Sequence, residues 1–233
     1  QWFNTGFDKI IDAFGERFSN DVRLFIPEVA AVLDGDDMSL FEMTAGETHY
    51  TVYPSRIEEN LLSLYFVDDT ELKNTRHEFN ITRPAVLLIN IDSLEQTEEM
   101  FDHADYYALV SDIEREITKW LVDNRCIFRK FSDGRFFALT ESKNLDVMIK
   151  NKFRIIDRIR SYRYGDKEVD ITLSIGVGKE ASFADCENAA RQALDMARGR
   201  GGDQVAVKLD GDYKFFGGNT SRKEKRGKIK SRI

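Results

Sequence analysis

The sequence predicts an α+β protein whose larger part is built on a ferredoxin-like sheet. Residues 85–91 form a nearly continuous apolar run, which is typical of a strand buried on both faces. Ser132, Asp133 and Gly134 separate two further strand patterns and supply the residues of a hairpin turn. Between residues 84 and 209 the predicted order is βαββαβ with one additional αβ pair, the order of a ferredoxin-like palm.

A smaller unit, residues 1–67, precedes this palm. Apolar residues at helical spacing predict a helix over residues 7–14 and a second helix from Asn20, a favourable N-cap. Alternating patterns at residues 39–44, 48–56 and 61–67 predict an antiparallel meander. This order resembles the C-terminal part of a PAS sensor domain whose first strands are missing. For the polar segment 68–83, a signalling helix and a plain linker remain equal alternatives.

Three helices and a C-terminal linker complete the predicted larger part. The helices cover residues 105–122, 145–162 and 187–198, and a last strand covers 204–208. In the first helix, Tyr107, Val110 and Ile113 are among the residues predicted to face the core. Residues 210–233 are predicted to be a basic linker.

Charge and composition exclude several classes of protein. The last thirteen residues carry seven Lys or Arg and one Glu, so the first 220 hold about −13 of a chain whose net charge is −7. An acidic body argues against specific nucleic-acid binding. Cys126 and Cys186 form no metal or disulfide pattern, which predicts a reducing, cytoplasmic setting. No apolar run is long enough to span a membrane, and the chain starts at Gln1 rather than Met, which suggests a piece of a longer protein.

Four segments in order resemble a GGDEF domain, the fold of diguanylate cyclases. They are residues 88–92 (LINID), 131–136 (FSDGRF), 171–178 (ITLSIGVG) and 193–198 (ALDMAR). The resemblance implies a nucleotide-cyclase-like fold over residues 84–209, with the hairpin at Gly134 in the position of the signature motif.

The resemblance also implies that the cyclase metal site is lost. A cyclase holds divalent metal with two carboxylates. Asn90 takes the position of the first and Gly134 that of the second, while Arg135 replaces the neighbouring Glu. Asp92 remains as a weak candidate metal ligand, with a structural Asp at the end of a strand as the equal alternative. No catalytic residue is therefore predicted in this chain.

Nucleotide recognition is altered as well. Glu98 and Tyr107 take the positions that the family uses toward guanine, so GTP specificity is not expected. Arg198 replaces a Lys that contacts phosphate and can keep that role. The inhibitory cyclic di-GMP site is absent at residues 123–126. The candidate nucleotide-binding residues are Asn90, Asp92, Glu98, Ser132, Asp133, Gly134 and Arg198.

Two C-terminal motifs indicate which group of proteins with a GGDEF domain this chain resembles. Residues 199–204 (GRGGDQ) and 213–219 (YKFFGGN), together with the altered hairpin, resemble the GdpP-type cyclic di-AMP phosphodiesterases. That family implies membrane helices before the PAS domain and a DHH–DHHA1 domain after the GGDEF domain. The DHH domain hydrolyses cyclic di-AMP to pApA with manganese. No Asp-His-His occurs in this sequence, so the hydrolysis would lie outside it.

The family further implies haem in the PAS domain and weak ATP hydrolysis in the GGDEF domain. His49 is the one histidine in the PAS-like unit, and we expect it to be an exposed strand residue more readily than a haem ligand. A set of apolar residues could line a ligand pocket, with a plain core as the favoured alternative; its members are Phe7, Ile11, Phe25, Ile26, Val29, Leu62, Leu64 and Phe66.

Three hypotheses follow. The first is a sensor and coupler module of a cyclic di-AMP phosphodiesterase. In it the degenerate cyclase domain forms a homodimer or binds a nucleotide such as ATP, and the change passes to a DHH–DHHA1 domain of the same chain. The second is a slow metal-assisted nucleotidase that uses Asp92 and Arg198. The third is a structural dimerisation module without a ligand.

Overall fold

The computed structural model describes residues 5–14, 23, 26–34, 38–58 and 61–218, and the statements below concern these residues. The chain divides into two compact units, residues 1–79 and 80–233. The basic tail at residues 221–233 and the predicted helix start at Asn20 lie outside the described residues.

The first unit combines two helices with a three-stranded antiparallel sheet. Its elements are α1 (Thr5–Phe14), α2 (Glu28–Asp34), β1 (Phe41–Ala45), β2 (Thr48–Glu58) and β3 (Leu61–Asp68). The strands pair in the order β1-β2-β3, which confirms the predicted meander. The second helix is shorter than predicted, because Ile26 is not helical and α2 begins directly after Pro27, where proline fits the first turn.

The core of this unit contains most of the apolar set that was considered as a pocket. Ile10, Ile26, Val29 and Val52 are buried, and Phe7, Leu64 and Phe66 pack against their cluster. Ile10 occupies the core position that was expected for Ile11, which is half-buried. Phe25 lies outside the described residues. The assignment of this unit to the PAS fold stays a prediction.

The segment after β3 is a helix, α3 (Thr70–Thr82). Its start is fixed to β2 by side chains, since the Thr51 hydroxyl donates to Asp69 Oδ2 at 2.6 Å and the His49 backbone N–H donates to Thr70 Oγ1 at 2.8 Å. None of its residues is buried. The helical alternative for residues 68–83 is therefore confirmed, whereas its role in signalling stays a prediction.

The second unit is built on a six-stranded sheet. The six strands of this sheet are β4 (Pro84–Asp92), β5 (Ile127–Ser132), β6 (Arg135–Glu141), β9 (Thr172–Lys179), β10 (Gln204–Leu209) and β11 (Asp212–Gly217). Two short strands, β7 (Arg163–Tyr164) and β8 (Lys167–Glu168), pair separately. The long strands follow the order β11-β10-β9-β4-β6-β5. The α+β class and the ferredoxin-like palm are thus confirmed.

Five helices cover the two faces of this sheet. They are α4 (Leu94–Glu98), α5 (His103–Asp123), α6 (Ser142–Lys150), α7 (Ile155–Arg160) and α8 (Phe183–Gly199). Residues of α5, α6 and α7 share one buried cluster with the sheet. On the other face α8 lies directly on β9, because a Cβ at Gly176 or Gly178 would collide with the backbone of α8. These contacts hold α8 against β9 between Cys186 and Leu194.

Two predicted segments of this unit differ from the structure. The helix expected over residues 145–162 is interrupted between α6 and α7, where Lys152 and Phe153 adopt left-handed φ values of 52° and 48°. The break lets the buried Phe153 ring pack 5.4 Å from Phe216, measured between centroids. Phe216 belongs to β11, which pairs with β10 inside the segment predicted as a linker from residue 210.

Candidate functional site

A cleft of about 380 Å³ opens at the end of β4. It is bordered by the β5–β6 hairpin, the start of α5 and the last turn of α8. Its lining residues are Asn90, Ile91, Asp92, Ser93, Leu94, Glu95, Gln96, Tyr106, Asp133, Arg135 and Arg198. Four of the seven predicted site residues are among them: Asn90, Asp92, Asp133 and Arg198.

The other three predicted site residues do not line the cleft. Glu98 is exposed at the end of α4, and Ser132 ends β5 opposite Arg135. Gly134 is buried under Leu94, with a φ of 68°. A Cβ at Gly134 would lie 2.5 Å from Leu94 Cδ1 and 3.1 Å from Ile91 Cβ. The hairpin therefore requires glycine here for both its backbone conformation and its packing.

The Asp92 carboxylate is the centre of a hydrogen-bond network. Oδ2 accepts from the Ser174 hydroxyl at 2.8 Å and from the Thr172 hydroxyl at 3.1 Å. The same oxygen accepts from the Asp203 backbone N–H at 3.3 Å, and Oδ1 accepts from the Asn90 amide at 3.2 Å. Asp92 thereby ties β4 to β9 and to the turn that precedes β10.

An ion pair supports the same turn from the other side. Arg160 Nε donates to Asp203 Oδ2 at 2.6 Å. Burial raises the pKa of Asp203, while the hydrogen bond from Arg160 opposes that rise. The Gln204 amide donates to the backbone oxygens of Ala197 and Gly202, so the turn is held along its length.

The residues present do not fit a cyclase metal. Asn90 donates its amide hydrogens to Asp92 and to the Ile91 carbonyl, and Asp92 accepts four hydrogen bonds. Gly134 contributes no side chain. Within the described parts of the chain, no group of three His, Cys, Asp or Glu side chains is arranged to hold a metal ion. Asp92 thus has the structural role that was the alternative to metal binding.

Two guanidinium groups border the cleft from different elements. Arg135 begins β6 and lies opposite Asn90 in the β4–β6 register. Arg198 lies in the last turn of α8. Both side chains are exposed, and neither has an ion-pair partner or a side-chain hydrogen bond among the described residues. Arg200 is different, because its guanidinium lies 4.3 Å from the centre of the Phe215 ring and donates to Gln204.

The hairpin beside the cleft is held by Lys130. Its ammonium lies 2.7 Å from Glu114 Oε1 and 3.2 Å from Asp133 Oδ1. The hydrogen bond to Glu114, followed by the one to Asp133, raises the pKa of Lys130. Asp133 is therefore already paired where it borders the cleft.

His49 offers little support for a haem site. It lies on β2 as predicted, but it is half-buried rather than exposed, and its Nδ1 lies 3.0 Å from the Thr44 hydroxyl oxygen. Five of the apolar residues considered for a ligand pocket belong to the core cluster of the first unit: Phe7, Ile26, Val29, Leu64 and Phe66.

The sequence was also compared with known protein families. Residues 89–215, more than half of the chain, match the family model described as "Cyclic-di-AMP phosphodiesterase GdpP-like, GGDEF domain". The chain belongs to this family. This confirms the predicted GdpP-type relationship.

Two relatives that are similar in sequence are both named cyclic-di-AMP phosphodiesterases. The chain is 30% identical to the cyclic-di-AMP phosphodiesterase PdeA of Listeria monocytogenes, over 100% of this chain and 35% of PdeA. It is 33% identical to the cyclic-di-AMP phosphodiesterase GdpP of Geobacillus thermodenitrificans, over 73% of this chain and 26% of that protein. The chain thus spans about a third or less of the length of these relatives. No helix in the described residues is long and apolar enough to cross a membrane.

Solved GGDEF domains are similar at low identity. The active GGEEF domain of a diguanylate cyclase from Vibrio cholerae aligns with 59% of this chain and 88% of its own, at 15% identity and a TM-score of 0.47. The GGDEF domain of FimX from Pseudomonas aeruginosa aligns with 60% of this chain and 90% of its own, at 19% identity and a TM-score of 0.45.

Sequence reasoning missed two residues that line the cleft of this GdpP-like domain. Tyr106 is buried beside the cleft, whereas Tyr107, predicted to face the core, is 63% exposed. Burial, followed by the charges of Glu98 and Asp133, raises the pKa of Tyr106. Arg135 was interpreted only as the loss of an acid. Its position opposite Asn90 across two predicted strands was the signal that could have identified it.

Proposed function

We propose that this chain is the sensor and coupler portion of a cyclic di-AMP phosphodiesterase, and that its GGDEF cleft binds a nucleotide without cyclising it. The observation that carries the proposal is the cleft itself. Asn90 and Gly134 replace the two metal-binding acids, and the guanidiniums of Arg135 and Arg198 border the same space. Such a cleft suits an anionic ligand better than a divalent cation.

The hydrolysis of cyclic di-AMP belongs, in this proposal, to a part of the protein outside this chain. The relatives named as cyclic-di-AMP phosphodiesterases are about three times as long as this chain. By the family resemblance, a manganese-dependent DHH–DHHA1 domain would perform that reaction, and membrane helices would anchor the protein with this portion in the cytoplasm. Haem in the first unit has the weakest support.

Coupling is proposed to involve a homodimer through α3. Leu72 is 69% exposed and Phe79 is 62% exposed, and seven residues separate them, which is the spacing of a coiled-coil seam. In that register Glu71 and Arg76 take g and e positions, whose opposite charges attract across a parallel pair. A thirteen-residue helix without buried residues also gains stability from a partner helix.

The nucleotidase alternative loses support from the Asp92 network. An Asp that accepts four hydrogen bonds has little capacity left for a metal or a proton transfer. The third hypothesis, a dimerisation module without a ligand, is also supported by the exposed apolar residues of α3. It differs from our proposal only in predicting that the cleft binds no nucleotide.

The first test is a product assay. The chain is incubated with GTP, ATP or cyclic di-AMP in the presence of Mg²⁺ or Mn²⁺, and products are separated by chromatography. We expect no cyclic di-GMP and no pApA. Formation of cyclic di-GMP would overturn the proposal. ATP hydrolysis that the Asp92→Ala variant loses would favour the nucleotidase instead.

A further inference from the structure

We propose that the cleft recognises a polyphosphate chain without a divalent metal, with the Arg135 guanidinium supplying the positive charge that metal supplies in a cyclase. This inference rests on the proposed nucleotide-binding function and specifies which part of the ligand is recognised. It is carried by three properties of the cleft: its two unpaired guanidiniums, the position of Arg135 and the state of Asp92.

Two guanidiniums of the cleft have no ion-pair partner among the described residues. Five charged side chains line it: Asp92, Glu95, Asp133, Arg135 and Arg198. Asp92 already accepts four hydrogen bonds, and Asp133 is paired with Lys130. These hydrogen bonds leave the charge of Asp92 in place, so three carboxylates and two guanidiniums sum to a formal charge of −1. The two guanidiniums are the charged groups of the cleft that can donate to an anion.

Arg135 lies where a metal would otherwise be held. It is directly opposite Asn90 in the antiparallel register of β4 and β6, and directly opposed residues have Cβ atoms about 5 Å apart on the same face of a sheet. A divalent cation near Asn90 would find a neutral amide, an engaged carboxylate at Asp92 and a positive group within a few ångströms. Repulsion from Arg135 and the occupied oxygens of Asp92 therefore oppose its binding there, against the attraction of the Asp92 charge.

Arg135 and Arg198 together offer two separate anion contacts. A guanidinium presents its N–H donors as a planar fork that can bind phosphate oxygens in pairs. The two groups approach from the hairpin and from α8, so a ligand with several phosphates could contact both. A polyphosphate that is complexed with Mg²⁺ carries less negative charge, so it should bind no more tightly than the free form.

The test measures affinity with and without metal. Isothermal titration calorimetry uses inorganic tripolyphosphate and ATP as probes, each in EDTA and in excess Mg²⁺. For the unmodified chain we expect both probes to bind in EDTA at least as tightly as in Mg²⁺. Arg135→Ala and Arg198→Ala should each weaken binding in EDTA by about tenfold or more.

A matched control separates the cleft from general charge effects. Arg191 lies on α8, pairs with Glu187 at 2.9 Å and does not line the cleft. Arg191→Ala should change the affinity by less than about twofold. All three arginines are exposed, so the variants should remain folded, which circular dichroism checks.

The possible failures are distinguishable. Binding that requires Mg²⁺ and disappears in EDTA would overturn this inference and leave the nucleotide-binding function in place. Binding of ATP without any binding of tripolyphosphate would do the same, because it would mean that the base or ribose is recognised. An unchanged affinity in Arg135→Ala would also overturn it. No binding of either probe in any buffer would overturn both proposals.

Discussion

The Asp92 carboxylate accepts a 2.8 Å hydrogen bond from the hydroxyl of Ser174, a residue with no exposed surface. A buried hydroxyl has no access to water when its partner is removed. Sequence comparison offers Asp92 as a surviving metal ligand. In the structure its carboxylate instead links β4 to β9 and to the turn before β10 through hydrogen bonds.

Replacement of Asp92 should destabilise the chain. Asp92→Ala leaves Ser174, Thr172 and the Asp203 N–H without their acceptor, and we expect it to lower the free energy of unfolding by about 1–3 kcal/mol. Urea denaturation measures the change. The control is Asp133→Ala, at an acid whose side chain is 87% exposed, with an expected change of about 0.5 kcal/mol or less. Equal stability of the two variants would contradict the structural role of Asp92.

Restoring an acid in the hairpin should not restore a metal site. Gly134→Asp places a Cβ 2.5 Å from Leu94 Cδ1 at a left-handed φ, so both crowding and backbone strain oppose it. We expect a loss of about 2 kcal/mol or more in the free energy of unfolding.

Gly165→Asp is the control for backbone strain alone. Gly165 has a φ of 60° with no atom within 4 Å of its Cβ position. We expect the loss at Gly165 to be about 1 kcal/mol. If thermal and urea unfolding give equal losses for both variants, the crowding at Gly134 has no energetic effect.

The Arg160–Asp203 pair predicts a pH-dependent variant. Burial raises the pKa of Asp203 above its usual 3.8, so the ionised acid costs stability as the pH rises through that pKa. Arg160 opposes the rise. Arg160→Met should therefore lower the free energy of unfolding by about 1–2 kcal/mol at pH 7.

At low pH the loss in Arg160→Met should shrink. Once Asp203 is protonated in the folded variant, it no longer carries an unpaired charge. Urea titrations of both proteins at pH 7 and pH 4 measure the difference. A loss of the same size at both pH values would contradict this assignment of the charge.

The cysteines should react slowly in the folded chain. Burial raises the pKa of Cys126 to about 11, and Cys186 is fully buried. At pH 8 we expect reaction with a thiol reagent on the order of 100-fold slower than for a free thiol of pKa about 8.5. The rate should rise about tenfold for each pH unit as long as the pH stays below the pKa of Cys126. Rapid labelling of one cysteine at pH 8 in native buffer, compared with two in urea, would contradict the buried environment of Cys126.

The proposed dimer should depend on Leu72. Leu72→Glu places a charge in the seam of α3, so we expect light scattering to show a dimer for the unmodified chain and a monomer for the variant. Asn74→Glu is the matched control, because it introduces the same side chain at an exposed position of α3 outside that seam. A monomeric unmodified chain, or a Leu72→Glu dimer, would contradict the seam.

The sequence predicts the sheet well because its signals are local. The apolar run of β4, the turn at Ser132–Gly134 and the hydrophobic period of the helices depend on neighbouring residues. The break at Lys152 and Phe153 was missed because neither residue usually adopts a left-handed φ. The adjacent Tyr106 and Tyr107 could not be distinguished, since both are aromatic and one helical position decides which is buried.

The site was harder to predict because its contacts are distant in sequence. Asp92 and Asp203 are separated by 111 residues, and Asp92 and Ser174 by 82. Motif matching aligned Asp92 with an acid of the cyclase and could not show that its oxygens are occupied. It likewise marked Arg135 as a lost Glu, whereas the strand register brings its guanidinium to the cleft.

The melting temperature of the chain with nucleotides tests the central claim most directly. ATP, GTP, ppGpp, cyclic di-AMP and cyclic di-GMP are each added with and without manganese. A ligand that binds only the folded state stabilises it, by about 2.7 kcal/mol at a hundredfold excess over its Kd. We predict a rise with at least one nucleotide in the absence of manganese, which Arg135→Ala reduces by about half or more at the same nucleotide concentration. No shift in melting temperature with any of the five nucleotides would contradict nucleotide binding by the cleft and would favour the dimerisation module without a ligand.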